Sequence, residues 1–200
     1  MNWNHNIHYH ELVMSAISPR CRRALDVGCG RGELAQKLAR QADEVFAIDV
    51  DRECLAFAKA VPGGEANITF VQGSVLEHPL PEGSFDLVVA MASLHHLPLR
   101  EALERFRKLL RPGGILIVVG LYRAVTHIDH AIDAIALPIS WAIRSLKGTQ
   151  KVGAPALGAP PLKDPAETLR DIRTECESSL PGGVLRRRLF FRYSFIWQKP

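Results

Sequence analysis

The sequence lacks any long hydrophobic run. None of its apolar stretches reaches the roughly 20 residues that a helix needs to cross a bilayer, so a membrane-spanning chain is not expected. Cysteine is scarce. Cys21, Cys29, Cys54 and Cys176 show neither metal nor disulfide spacing, and a reducing cytoplasm is the natural compartment. The polar, His-rich start, Met1 to His10, has no apolar core of the kind a secretory signal carries. His5, His8 and His10 are joined by no acid or cysteine that completes a ligand set, so no metal is expected. Excess charge of one sign is also small, at +4. Much of it sits in Arg186, Arg187, Arg188 and Arg192. Successive strand residues alternate faces, so three adjacent arginines make no single stripe for phosphates, and a solvated, edge-protecting strand is expected. Nucleic acid is therefore a weak candidate partner.

What is present is a 200-residue chain, 47% hydrophobic, enough for one well-packed domain and too little for two of ordinary size. Residues 8–18 read as a helix covering one side of a site. Strands and helices then alternate: strand 24–28, helix 32–41, strand 45–49, helix 52–60, strand 68–72, strand 85–90, helix 99–110 and strand 115–120. Such alternation argues for a parallel sheet with helices on both faces. The connection 73–84 holds Pro79, Pro81 and Gly83 and is expected to be mostly loop. Arg111-Pro112-Gly113-Gly114 reads as a stop and turn before the fifth strand. Beyond residue 121, apolar residues from Val125 to Leu146 recur at steps of three and four, predicting a helix kinked near Pro138. A Gly- and Pro-rich loop, 147–164, follows. A helix over 165–179 and strands at 184–191 and 193–198 close the chain.

The stretch ALDVGCGRGELAQKLA, residues 24–39, carries most information. An apolar run ends in Asp26, glycines fall at Gly28, Gly30 and Gly32, and a helical pattern begins at once. A strand, a glycine turn and a helix start let backbone approach a small ligand closely. A dinucleotide fingerprint needs a third glycine at position 33, which is Glu33. That carboxylate and Asp26 disfavour a pyrophosphate and suit a ligand with a cationic head. A second apolar run, Val45 to Ile48, ends in Asp49, 21 residues beyond Gly28 and close to the spacing expected of an acid that bonds a ribose. Asp51 is the competing acid, but it is placed to cap the helix beginning near Arg52.

Asp26-x-Gly28-x-Gly30-x-Gly32, followed by Asp49, resembles the signature of class I S-adenosylmethionine (SAM)-dependent methyltransferases, in the group that includes small-molecule and quinone methyltransferases. The resemblance is strongest over 24–120. It implies an α/β, Rossmann-like single domain over 1–200, whose mostly parallel seven-stranded sheet has its last strand antiparallel. It also implies SAM as cofactor, held by Asp26, Gly28, Cys29, Gly30, Asp49, Val50, Ser74, Val75 and Ala90. Ser74 departs from the family, which often has an acid there. The predicted helix after the fifth strand is an addition to the family core. With the loop behind it, over 121–164, it is expected to form a lid, while 1–20 forms an N-terminal cover.

Methyl transfer from a sulfonium needs alignment and water exclusion rather than a protein nucleophile. An oxygen or nitrogen acceptor calls for a general base. His95 and His96 follow the fourth strand and are the leading candidates, with Tyr9 and His10 as further pocket residues. The fourth-strand exit, Ala90-Met91-Ala92-Ser93, lacks the Asn or Asp, prolines and aromatic typical of enzymes that methylate base amino groups. A small organic acceptor is expected, on a monomer or homodimer. An NAD-linked oxidoreductase and a non-catalytic SAM-binding protein are the alternatives.

Overall fold

The computed structural model describes residues 5–17, 21–61, 64–126, 164–189 and 192–200. Its seven strands among these residues are β1 (Cys21–Val27), β2 (Ala42–Asp49), β3 (Ile68–Gln72), β4 (Phe85–Met91), β5 (Leu110–Leu121), β6 (Val184–Arg188) and β7 (Arg192–Gln198). They form one sheet in the order β3-β2-β1-β4-β5-β7-β6. The β3, β2, β1, β4 and β5 pairings are parallel, whereas β7 runs antiparallel to both neighbours. The expected sheet, with its reversed last strand, is what the chain forms.

β4 sits near the centre because its run, Phe-Asp-Leu-Val-Val-Ala-Met, is buried at every position. A strand covered on both faces needs such a continuous apolar run. Its side chains divide with period two. Val88 and Ala90 join a core with Leu103 and Phe106 of helix α4 (Leu99–Leu109) and Ile172 of α5 (Leu169–Ser179). Leu87 and Val89 join the opposite core with Val13 of α1 (His5–Ala16), Leu34, Ala35 and Leu38 of α2 (Glu33–Leu38) and Leu55 of α3 (Arg52–Lys59). Helices therefore cover both faces, and the strand ends meet at two edges of different character.

Several boundaries differ from expectation, each for a local reason. β1 and β2 each begin three residues early, because Cys21 pairs with Ala42 before the apolar run is under way. Arg111-Pro112-Gly113-Gly114 does not end one element and start another. It lies inside β5 as an irregularity, with Leu110 paired to Phe85 and Ile115 to Leu87. Gly113 takes φ +76°, and Gly113 N–H donates to the Lys199 carbonyl at 2.8 Å, so the chain end holds the distortion. α5 starts at Leu169 rather than 165, since Thr168 caps it in a reciprocal box with Asp171.

The connection 73–84 carries no helix, as its prolines predict. Arg105 of α4 clamps it instead, donating to the carbonyls of Val75 at 3.2 Å and His78 at 3.0 Å. β6 is an edge strand, in keeping with its arginines. Arg192 departs from the solvated reading. It opens β7, pairs with Leu121 and is 7% exposed, covered where Tyr9 of α1 reaches the hairpin. Residues 125 and 126 are not helical, and the remainder of the helix and loop expected from there to 163 lies outside the described residues. No helix among the described residues is long and apolar enough to cross a membrane.

Candidate functional site

The carboxyl ends of β1, β2 and β4 converge on the glycine turn. Gly28 and Cys29 N–H both donate to the Ile48 carbonyl, at 2.8 and 3.2 Å, so the turn is laid against the end of β2. Gly28 and Gly32 are glycines for lack of space. A Cβ on Gly28 would lie 2.3 Å from Ser93 Cβ, and one on Gly32 would lie 3.1 Å from both Ala58 and Phe70. Gly30 differs. Its φ is +51°, yet a Cβ there meets nothing within 4 Å. The middle of the turn faces open space, which is where a ligand can approach the main chain.

Two carboxylates stand at the strand ends next to the turn, Asp49 bonded to it and Asp26 buried. Asp49 Oδ2 accepts Gly30 N–H at 2.7 Å, and Oδ1 accepts Asp51 N–H at 2.9 Å. Each oxygen keeps a second lone pair. Asp51 is the helix cap, as expected, accepting from Glu53 and Cys54 N–H at 2.8 and 3.0 Å. Asp26 is 1% exposed, and its Oδ2 has no hydrogen-bond partner. Burial, reinforced by the nearby Asp49 charge, pushes its carboxyl up to about 7, against the one backbone bond from Ala35. A buried acid with an unused oxygen beside an open glycine turn fits a cationic ligand group, and the residues present fit SAM.

The other expected cofactor contacts are placed as follows. Cys29 is buried in the turn, and burial raises its thiol, so it is a small wall rather than a thiolate. Val50 is 67% exposed beside Asp49. Ser74 heads a turn after β3, its hydroxyl accepting Leu76 N–H at 3.2 Å and its carbonyl accepting from Glu77 and His78. Val75 puts its side chain into the core and leaves only main chain for a ligand. Ala90 is fully enclosed between β1 and β5, with its side chain in the core.

On the far side of the glycine turn, Ser93 opens a 3-10 turn over Leu94–His96. The His95 and His96 rings lie against each other, tilted by 40° with centroids 4.1 Å apart, His95 half-buried and His96 exposed. Ser93 Oγ donates to the Val27 carbonyl at 2.6 Å. Ala92, just before it, takes φ +54°, a conformation that costs an alanine about 1 kcal/mol. Strain of this kind persists where surrounding contacts impose it. Tyr9 and His10 are less open than expected. The Tyr9 hydroxyl donates to the Leu189 carbonyl at 2.8 Å. His10 is 2% exposed, and burial followed by the Lys37 charge lowers it to about 4, so its imidazole is neutral.

The structure thus brings Asp26, Asp49, Gly30 and the His95–His96 turn to one edge. Ser93, Ala92 and Arg105 were not singled out from the sequence. Ala92 is marked by a positive φ that a non-glycine rarely adopts, and Ser93 by its long-range bond to Val27, neither of which is visible in residue types.

Residues 25–118 match the family described as a methyltransferase domain. An uncharacterized methyltransferase of Mycobacterium tuberculosis is 34% identical over 99% of this chain and 98% of its own length. The ubiquinone biosynthesis O-methyltransferase of Cronobacter sakazakii is 36% identical over 46% of this chain and 40% of its own. A SAM-dependent methyltransferase structure from Methanosarcina mazei shares the fold, with a TM-score of 0.63 over 100% of this chain and 99% of that one at 18% identity. The nicotinamide reading falls with this match and with Glu33, which sits where a dinucleotide loop has glycine. The chain belongs to the class I SAM-dependent methyltransferases, and SAM is its cofactor.

Proposed function

We propose that this enzyme methylates a small organic acceptor at a hydroxyl or amine presented to the His95–His96 turn. The observation that carries the reading is the contact between Gly28 and Ser93. Ser93, which opens the histidine turn, packs against Gly28 of the glycine turn, and this supports a shared site at the carboxyl edge where open α/β sheets bind ligands. SAM, when bound, supplies an electrophilic methyl on a positively charged sulfur with a neutral thioether as leaving group.

The chain's own residues divide the remaining work. Asp26 and the main chain around Gly28, Cys29 and Gly30 hold the amino-acid end, and the second lone pairs of Asp49 take the ribose hydroxyls. Val50, Ser74 and Val75 border the space for the base. Either His95 or His96 accepts the proton of an O–H or N–H acceptor as the new bond to carbon forms. Ala90 supports these residues from within the sheet. Tyr9 and His10 lie on the N-terminal helix, with the Tyr9 hydroxyl tied to the Leu189 carbonyl. The arginines of β6 lie on an edge strand, which supports a small molecule over nucleic acid. The fold carries these parts as one domain, and the cysteines fit a reducing cytoplasm. The quinone-type relative supports phenols and catechols as the first acceptors to try.

The test is methyl-labelled SAM incubated with catechols, phenols, small amines and an oligonucleotide. Label is expected in a small molecule, with His95→Asn or His96→Asn lowering the rate by about a hundredfold or more while SAM affinity holds. Label only in the oligonucleotide, or none with SAM bound, would overturn the reading.

A further inference from the structure

The Ser93 hydroxyl has no part in the chemistry above, yet it spans the two halves of the site. Ser93 Oγ donates to the Val27 carbonyl at 2.6 Å, across 66 residues of sequence. Val27 is the last residue of β1, so the bond is anchored at the root of the glycine turn. The Ser93 carbonyl accepts His96 N–H at 3.1 Å, so the same residue also starts the histidine turn. Its backbone is held from behind, since Ala92 N–H donates to the Val119 carbonyl of β5 at 2.7 Å while Ala92 occupies the left-handed region. Gly28 has no side chain where Ser93 packs, and a Cβ there would be 3.0 Å from Ser93 Oγ. The two loops therefore meet at main chain, a hydroxyl and a missing Cβ, joined by the Ser93–Val27 hydrogen bond.

We infer that Ser93 is a positioning residue, whose bond to Val27 sets the histidine turn at a fixed distance from the cofactor loop and transmits cofactor binding to His95 and His96. The inference rests on the assignment of the glycine turn to the cofactor and of the histidine turn to the acceptor. A displacement of reacting groups by about 1 Å can cost a hundredfold in rate. A short bond between two rigid strand ends is an economical way to prevent such a displacement. A serine is suited to it, being small enough to pack on Gly28 and carrying a donor that reaches one carbonyl.

The test follows the imidazole carbon–proton signals of His95 and His96 by NMR in the full chain, with S-adenosylhomocysteine as probe. In the wild type, saturation with the probe is expected to shift both signals. In Ser93→Ala the probe still binds, but those shifts are largely lost, and Ser93→Thr, which keeps the hydroxyl, restores them. Should Ser93→Ala fail to fold, Ser93→Cys keeps the shape with a weaker donor and carries the same comparison. Shifts of equal size in the wild type and in the variant lacking the donor would overturn the inference while leaving the cofactor assignment standing. Wild-type binding without movement of either signal would overturn it as well. No binding of the probe to the wild type would instead strike at the cofactor assignment beneath it.

Discussion

Asp26 and Asp86 are buried aspartates on adjacent strands, β1 and β4, at opposite edges of the same sheet. Asp86 lies at the amino edge and is fully served by the protein. It accepts from Arg22 and Arg23 N–H at 3.1 and 2.8 Å and from Arg111 Nε. Burial penalises its charge, but the Arg23 N–H and the Arg111 guanidinium outweigh that and hold its carboxyl below the usual range. Asp26 lies at the carboxyl edge with one backbone bond, an unused oxygen and a second acid nearby, and is driven the other way. The same residue type is a structural anchor at one edge and an unfinished contact at the other. What separates them is whether the fold supplies hydrogen-bond partners for both carboxylate oxygens.

Breaking the anchor should have the largest effect. Asp86→Ala strands two backbone donors and a guanidinium, and a loss of about 3 kcal/mol is expected by denaturant unfolding, with little change in SAM affinity for the protein that remains folded. Next, Asp49→Ala removes the acid that accepts Gly30 N–H and is proposed to take the ribose hydroxyls. SAM binding measured by calorimetry should weaken by more than about tenfold, or 1.4 kcal/mol. Unchanged affinity would remove Asp49 from the ribose role.

The two aspartates also respond oppositely to pH. Asp86, with a depressed folded value, contributes stability that is present above the unfolded carboxylate range and is lost as pH falls through its folded value. Asp26, raised to about 7, contributes stability that is present in acid and is lost as pH rises through about 7 in the empty protein. Capturing a cationic group requires the ionised acid. SAM affinity should therefore fall below about pH 7, approaching tenfold per unit of pH, and be flat in Asp26→Asn. Smallest in stability is Gly30→Ala. It meets no atom and costs about 1 kcal/mol for its left-handed backbone, yet its methyl enters the cofactor space, so SAM binding falls more than stability does.

Much of the glycine-turn geometry was legible because it is local in sequence. Asp26, the three glycines, the strand ending in Asp49 and the Asp51 cap all lie within 26 residues, and residue type alone restricts what such a turn can do. β3 was read to its observed ends, and the proline-bearing loop before β4 was foreseen. The acceptor side was less legible because it is assembled at long range. The Ser93–Val27 bond and the Tyr9–Leu189 bond join distant segments, and the buried Arg192 has Tyr9, nearly the whole chain away, as a neighbour. The Pro-Gly-Gly run was misread as a turn because its main chain is held by Lys199, a residue no local pattern connects to it.

The most direct measurement is a calorimetric titration of the wild type and Asp26→Asn with SAM, at about pH 8 and about pH 6, with NAD as the control ligand. SAM is expected to bind the wild type more tightly at the higher pH and the variant more weakly and without that dependence, with NAD giving no heat. Heat with NAD and none with SAM would contradict it, as would a wild type and variant that bind SAM alike at both pH values.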